Sequence, residues 1–199
     1  MLMPLLSAAQ LHQVSDMPLF EQRLKDCADK LTSIESNFTQ IKHLDVFDEN
    51  VTSTGMFYYL KDNKICMNYS KPLNYLIIIN NNWLKIVADG KTNIMQLNSN
   101  KMMNEMQDMI TACMVGDLKR MSTGYDVVYK EDDKQYVVLV TPKSKTVREY
   151  VSAIEISLNK ADMSVDRLRM CENESDYTEY LFSNKHFNRL ADDALFRIE

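Results

Sequence analysis

Histidine and cysteine side chains are the groups in this sequence that could support catalysis or metal binding. The histidines His12, His43 and His186 stand in unrelated contexts, without an HExxH motif or a histidine pair at helical spacing. Metal sites need several donors at defined spacing, so the sequence predicts no metal site. A thiol nucleophile needs a histidine base, and adjacent strands could bring Cys171 to His186. We interpret that pair as coincidence because no sequence signature accompanies it.

Other catalytic motifs are also missing from the sequence. There is no GxSxG motif, and four glycines leave little room for a phosphate-binding loop. The acidic run Glu131-Asp132-Asp133 is typical of a solvated hairpin tip. We therefore expect no catalytic residues and no cofactor, and we do not expect an enzyme.

The four cysteines are Cys27, Cys66, Cys113 and Cys171, and they match no CxxC or zinc-binding spacing. Each lies within an apolar pattern, which favours small buried side chains. A disulfide formed in an oxidising compartment is the other interpretation.

Length and charge limit the class of protein. A chain of 199 residues suits one domain, and its net charge of -5 argues against a nucleic-acid partner. Residues 1–9 are apolar and end in small residues, which predicts the remnant of a secretory signal cleaved before Gln10. A disordered N-terminus is the alternative interpretation. The segment is too short to span a membrane, and we expect one domain over residues 10–199.

Period-two apolar patterns dominate the rest of the chain. The stretch from Gly55 to Pro72 predicts a hairpin that turns at residues 61–64. Its first arm is apolar on both faces, so we expect it to be covered on both sides. Further turns at residues 80–82, at Asp89-Gly90 and at residues 131–133 predict an antiparallel meander of about eleven strands. We expect the strand after Pro142 to begin at Tyr150.

Two segments have helical rather than strand periodicity. A helix is predicted to start at Asp16, with its apolar stripe formed by Leu19, Phe20, Leu24, Cys27, Ala28 and Leu31. The other segment lies in a methionine-rich region, since seven of the 14 methionines fall between Met95 and Met121. Its apolar positions include Met102, Met103, Met106, Met109, Ile110 and Met114.

The methionine-rich helix has two interpretations. It could be a core helix with a biased composition, or it could be a lid over a deformable apolar cavity, because methionine adapts to irregular space. Strands that are apolar on both faces favour the cavity. The predicted fold class is therefore α+β and mainly β: an incomplete antiparallel half-barrel of about eleven strands, with helices packed in its concavity as a lid.

A set of short motifs in this order resembles the LolA family of periplasmic lipoprotein carriers. They are Asn37-Phe38-Thr39-Gln40, the run from Gly55 to Pro72, Asp89-Gly90-Lys91, the inserted helix, Thr141-Pro142-Lys143 and Asp193-Ala194-Leu195-Phe196. The resemblance implies a periplasmic monomer whose half-barrel encloses acyl chains of lipoproteins. It further implies two partners, an inner-membrane ABC lipoprotein-release complex and an outer-membrane lipoprotein acceptor.

Strand parity and the resemblance together select the residues expected to line the cavity: Phe38, Phe57, Tyr59, Ile65, Met67, Tyr69 and Ile77. The family has an Arg-Pro pair where this chain has Lys61-Asp62, so Lys61 is the candidate latch for the lid. Aromatic residues are usual in the family where this chain has Ile65 and Met67. The alternative function is a regulatory module on the same fold, which senses lipoprotein and binds a signalling partner.

Overall fold

The computed structural model describes residues 10–47, 49–97, 109, 111–112, 124–190 and 192–199. Within these residues, twelve antiparallel strands form one sheet in the order β1-β8-β9-β10-β11-β12-β2-β3-β4-β5-β6-β7. The strands are β1 (His12–Gln13), β2 (Ser33–Leu44), β3 (Glu49–Leu60), β4 (Lys64–Lys71), β5 (Tyr75–Asn80), β6 (Trp83–Ala88), β7 (Lys91–Gln96), β8 (Tyr125–Glu131), β9 (Gln135–Pro142), β10 (Ala153–Asn159), β11 (Val165–Cys171) and β12 (Tyr177–Phe187).

The sheet consists of two meanders joined at one seam. Strands β2 to β7 follow one another across one half, and β8 to β12 follow one another across the other half. The seam is the pairing of β2 with β12, where Phe38 lies opposite Phe182. Because β1 and β7 form the two edges of the sheet, the barrel is open. The predicted half-barrel is confirmed, and the strand beyond the expected eleven is the two-residue β1.

Tight turns set the register of the hairpins. The β3–β4 turn places Asp62 and Asn63 at φ 71° and 60°, and the β6–β7 turn places Asp89 and Gly90 at φ 50° and 71°. Positive φ at both central residues matches the twist of the two-residue β6–β7 hairpin, and the three-residue β3–β4 turn contains a similar pair of positive φ values. Asn and Asp are among the residues that tolerate this conformation. Both predicted turns are confirmed.

The concave face of the sheet carries the main core, and helix α1 (Met17–Lys30) packs there. The carboxylate of Asp16 accepts a hydrogen bond from the backbone N–H of Leu19 at 2.9 Å, which caps the helix as predicted. The ring of Phe20 packs on Tyr129 and Tyr136, with centroids 5.2 and 4.7 Å apart. These contacts hold α1 over the half of the sheet that contains β8 and β9.

The apolar stripe of α1 is narrower than predicted. Phe20 and Leu24 are buried, whereas Leu19 and Cys27 are exposed. The prediction of burial was wrong for these two residues: Leu19 faces solvent, and Cys27 stays exposed although its thiol contacts the Asp162 carbonyl. Cys66 is buried and Cys171 is half-buried; all three of these cysteines are free, and Cys113 lies outside the described residues.

The convex face is covered in one region by the C-terminal segment. Phe196, in the short 3-10 turn Ala194–Phe196, is completely buried against Cys66 and Ile78. This contact explains why β3 is apolar on both faces, as predicted. Its neighbour Leu195 is exposed, so Phe196 is the residue of this turn that anchors the segment.

The segment after Pro142 differs from the prediction. A four-residue helix, α2 (Lys145–Arg148), begins there because the Ser144 hydroxyl accepts a hydrogen bond from the Val147 N–H at 3.4 Å. The next strand consequently starts at Ala153, and Tyr150 is exposed.

The register of β11 with β12 also separates the candidate thiol and imidazole. Cys171 on β11 lies opposite Tyr177, the first residue of β12. His186 is near the other end of β12, where it lies opposite Glu35 on β2. At about 3.3 Å per strand residue, the thiol and the imidazole are about 30 Å apart. This separation rules out a catalytic dyad of Cys171 and His186.

Most of the predicted lid lies outside the described residues, namely Met102, Met103, Met106, Ile110 and Met114. Met109 is described, together with Thr111 and Ala112. All three are helical and buried, and Met109 and Ala112 belong to the concave core.

Candidate functional site

A pocket of about 200 Å³ lies between the C-terminal half of α1 and the concave face of the sheet. Its walls come from α1, the starts of β2 and β11, the middle of β3 and the end of β12. Apolar residues form most of the lining: Leu24, Ala28, Leu31, Ile34, Phe57, Met163, Val165, Phe182 and Phe187. Pockets for drug-sized ligands measure about 300 to 1,000 Å³, and a dry cavity of about 150 Å³ holds one benzene molecule. The pocket therefore accommodates a small apolar group or the end of one alkyl chain.

Aromatic contacts shape the floor of this pocket. The rings of Phe57 and Phe182 meet edge to face, with centroids 5.3 Å apart. Phe57 is held in place by its strand neighbours, since it lies opposite Ser36 on β2 and opposite Met67 on β4. Because both rings are largely buried, the floor is a fixed surface.

Lys185, one of two lysines in the pocket lining, is already neutralised. Lys185 forms an ion pair with Asp166, and its ammonium group also donates to the Ser164 hydroxyl at 2.5 Å and to the Val165 carbonyl at 3.3 Å. An ammonium group has three donors, and these partners use all of them. The pocket therefore offers no free charge from Lys185 to an anionic ligand.

Ser36 is a buried polar residue in the lining of the pocket. Its side chain is 1 % exposed, and its hydroxyl has no hydrogen-bond partner in the described part of the chain. A buried hydroxyl without a partner costs about 1 to 3 kcal/mol. This cost would be relieved by a ligand that carries a donor or an acceptor.

Three tethers hold α1 over the pocket. The Arg23 guanidinium donates to the Lys160 carbonyl, and the Cys27 thiol donates to the Asp162 carbonyl at 3.6 Å. Asn188, at the end of β12, donates to the Lys30 carbonyl at 3.1 Å. The tethers link α1 to the β10–β11 turn and to the sheet by a few individual bonds.

A cluster of tyrosines lies elsewhere on the concave face. Tyr69 stacks on Tyr75 at 3.8 Å, and the ring of Phe38 meets Tyr69 edge-on at 4.8 Å. The amide of Gln40 donates to the Tyr180 hydroxyl at 3.2 Å. Burial raises the pKa of Tyr69 and of Tyr180, so both phenols are neutral donors at physiological pH. The concave surface thus combines apolar area with a small set of hydroxyl groups.

The structure places the predicted cavity residues on one continuous surface, the concave face. Ile77 packs against the concave core, and one of the six others, Phe57, also lines the pocket. The six that are buried in the core are Phe38, Phe57, Tyr59, Ile65, Met67 and Tyr69. Lys61 is exposed in the β3–β4 turn, and its backbone N–H donates to the Thr32 carbonyl at 2.8 Å. The proposed role of Lys61 as a latch depends on a helix outside the described residues, so it stays a prediction.

Sequence reasoning did not identify the walls of the pocket, apart from Phe57. Leu24, Ala28 and Leu31 were recognised as the apolar stripe of α1, and that stripe was a usable signal. The contribution of the β10–β11 turn, including Met163, had no signal in the sequence because it depends on how distant elements pack.

Two further observations concern metal and membrane. In the described ranges, no cluster of three or more His, Cys, Asp or Glu side chains is placed to hold a metal ion. No helix in those ranges has both the length and the apolar character to cross a membrane.

Residues 29–199 match the protein family described as "Outer membrane lipoprotein carrier protein LolA". A comparison with curated proteins found no match.

Solved structures with the same fold include an uncharacterized conserved protein from Thermus thermophilus. Its sequence is 11% identical to this chain, the alignment covers 90% of this chain and 94% of that protein, and the TM-score is 0.53. A DUF1329 family protein from Desulfovibrio piger is 13% identical in sequence, with 90% of this chain and 95% of that protein aligned and a TM-score of 0.52. A LolA superfamily protein from Nitrosomonas europaea is 8% identical in sequence, with 89% of this chain and 96% of that protein aligned and a lower TM-score of 0.46.

Proposed function

Because the chain belongs to the LolA family of outer membrane lipoprotein carrier proteins, we propose that it carries lipoproteins across the periplasm. In this proposal it takes acylated lipoproteins from an inner-membrane ABC complex and delivers them to an outer-membrane acceptor. The observation that carries the proposal is the apolar pocket beneath α1, most of whose apolar lining belongs to the concave core.

A carrier of this kind works by shielding apolar surface. Each methylene of an acyl chain that leaves water is worth about 0.8 kcal/mol, so several chains require tens of kcal/mol of gross shielding. Tight packing of apolar side chains on the chains supplies this without any reaction. The unpartnered hydroxyl of Ser36, and the tyrosines elsewhere on the concave face, would receive polar groups of the ligand, such as ester carbonyls.

The pocket holds the end of one chain, so complete acyl chains require α1 to move. The bonds from Arg23, Cys27 and Asn188 are few enough to break and reform when a ligand binds. A ligand that binds the displaced state of α1 more tightly than the closed state would shift the population toward it. In this proposal α1 is a lid together with the methionine-rich helix.

Native mass spectrometry of the full chain, purified from the periplasm of its own bacterium, tests this function. The expected result is an adduct whose extra mass equals that of an acylated lipoprotein. Incubation with outer-membrane vesicles should then transfer the lipoprotein and leave the chain free. Retention of the lipid together with lipid-dependent binding of a signalling protein would instead favour the sensing module.

The proposed location is tested at the N-terminus. Expression from the complete reading frame, followed by N-terminal sequencing, should yield a mature protein that starts near Gln10. Accumulation of an uncleaved chain in the cytoplasm would contradict a periplasmic carrier.

A further inference from the structure

The hairpin of β2 and β3 extends beyond its neighbour and ends in exposed apolar residues. Strand β3 pairs with β4 only from Thr54 onward. The first part of β3, before Thr54, therefore pairs with β2 and has no partner strand on its β4 side. At the tip, in the 3-10 turn Asp45–Phe47, Val46 is 86% and Phe47 is 67% exposed. Val51, just behind the tip, is 49% exposed. These three residues form an apolar tip that contributes nothing to the core of the fold.

The tip is braced rather than loose. The backbone N–H of Asp45 donates to the carboxylate of Asp176 in the β11–β12 turn at 2.8 Å. The imidazole of His43 stacks on Tyr177 at 5.0 Å and lies 3.0 Å from the side-chain oxygen of Asn50. A braced apolar tip loses little conformational freedom on binding, which is the property of a preorganised docking element.

Carboxylates surround the apolar tip. Asp45, Glu49 and Glu174 are exposed, and Glu172 and Asp176 are half-buried. The nearby ammonium group of Lys42 lies 3.7 Å from Glu172 and offsets one of these charges. The rim of the tip therefore carries a net negative charge.

This surface is far from the lipid pocket. The pocket contains Ile34 near the start of β2, whereas the tip follows Leu44 at its end. At about 3.3 Å per residue, the ten residue steps from Ile34 to Leu44 span about 33 Å. A role for the tip is therefore independent of the proposed lipid binding.

We propose that the tip docks into an apolar socket of a partner protein whose rim carries lysine or arginine. Charge complementarity favours this occupant, since the acidic rim attracts cations and the apolar tip needs a dry socket. An anionic lipid surface would be repelled by the same carboxylates. A second copy of the chain, with a net charge of -5, would be repelled as well.

Site-specific photo-crosslinking in the source bacterium tests this docking. The full chain carries benzoylphenylalanine in place of Phe47 or, as the control, in place of Tyr150, an exposed aromatic residue after α2. The expected result is a discrete protein adduct from position 47 that does not form from position 150. The crosslinked peptide of the partner should contain lysine or arginine beside the crosslinked residue. The double change Glu49→Lys and Glu174→Lys should lower the adduct yield by about tenfold.

Three outcomes of the crosslinking would overturn the proposal. They are no protein adduct, equal adduct yields from positions 47 and 150, or an adduct yield that is the same with and without the two Glu→Lys changes. A second measurement uses the purified full chain and its Phe47→Ser variant, which should melt at the same temperature because Phe47 is exposed. Binding to vesicles of phosphatidylethanolamine and phosphatidylglycerol that is lost in Phe47→Ser would assign the tip to a membrane instead. Self-association in the ultracentrifuge that is lost in the same variant would assign it to a second copy.

Discussion

Phe38 lies directly opposite Gly55 in the register of β2 and β3, and the edge of its ring fills the space above the glycine. A methyl group at position 55 would lie 2.9 Å from Cε1 of Phe38 and 2.2 Å from the backbone oxygen of Asn68. The glycine thus allows β4 and the Phe38 ring to approach β3 at the same point.

We expect Gly55→Ala to destabilise the fold by about 2 kcal/mol or more, because the clash involves backbone and cannot be relieved by a side-chain rotation. Gly124→Ala is the control, since a methyl group there meets no atom of the described residues within 4 Å. Urea unfolding should show a lower midpoint for the first variant and an unchanged or slightly higher midpoint for the second. Equal midpoints would show that the close approach at Gly55 is not a constraint.

Ser33 and Ser36 form a matched pair on β2. Both are 1 % exposed, but the Ser33 hydroxyl accepts a hydrogen bond from the Leu190 N–H at 3.1 Å, whereas Ser36 has no partner in the described ranges. Ser33→Ala should cost about 1 kcal/mol of unfolding free energy, because it leaves the half-buried N–H of Leu190 unpaired. Ser36→Ala should be neutral or stabilising. A loss of stability in Ser36→Ala equal to that in Ser33→Ala would contradict an unpaired hydroxyl.

Filling the pocket should block ligand binding. Ala28 lines the pocket, whereas Leu19 is on the exposed side of the same helix. Ala28→Phe should weaken binding of a fluorescent fatty acid by about tenfold or more, which corresponds to about 1.4 kcal/mol. Leu19→Phe adds an aromatic ring outside the pocket and should leave binding unchanged. If both variants bound like the original chain, the fatty acid would occupy another site.

Asn188 should control how readily α1 opens. Its side chain accepts a hydrogen bond from the Thr32 N–H at 2.7 Å and donates to the Lys30 carbonyl at 3.1 Å. Asn188→Ala should speed amide exchange over residues 27–31 by about tenfold, because a local opening needs fewer broken bonds. Asn188 has a φ of 58°, so Asn188→Gly is the control for backbone strain. Faster amide exchange in Asn188→Ala but not in Asn188→Gly would mean that backbone strain at position 188, and not the lost side chain, was responsible.

Glu131 should make stability depend on acid pH. Hydrogen bonds from Lys160 and from the hydroxyl and N–H of Ser15 lower the pKa of Glu131 to about 2. A carboxylate with a lowered pKa in the folded state stabilises the fold above its unfolded pKa, and this stabilisation disappears as the pH falls toward 2.

Glu131→Gln should therefore cost about 2 kcal/mol at pH 7 and much less near pH 2. Urea unfolding of both proteins at the two pH values measures this difference. Glu155→Gln, on the convex face, controls for the loss of a paired surface carboxylate. A Glu131→Gln penalty that did not change with pH would disprove the charge-based explanation.

Features that depend on neighbouring residues could be predicted from the sequence. The β3–β4 and β6–β7 turns follow from Asp62-Asn63 and Asp89-Gly90, whose backbones tolerate positive φ. The start of α1 follows from the cap at Asp16. The parity of β4 placed Ile65, Met67 and Tyr69 on one buried face because side chains alternate along any strand.

Features that depend on distant packing could not be predicted. The exposure of Cys27 is set by where α1 contacts the sheet, and the missing partner of Ser36 is set by what lies opposite it in space. The pocket combines α1 with the β10–β11 turn, which are remote in sequence and individually unremarkable. Helix α2 escaped prediction because four residues are too few to show a helical period.

The seam between β2 and β12 has a consequence for the order of folding. It joins residues as far apart in the chain as Gln40 and Tyr180, separated by 140 positions. Each meander can form from short hairpins, but the concave core is complete only after this long loop has closed, which is a slow step entropically. Pulsed amide exchange during refolding should therefore show protection in the hairpins of the first meander before protection at the β2–β12 seam. Until the seam forms, the surface that shields lipid is exposed to water, and during that interval the chain itself needs protection from aggregation.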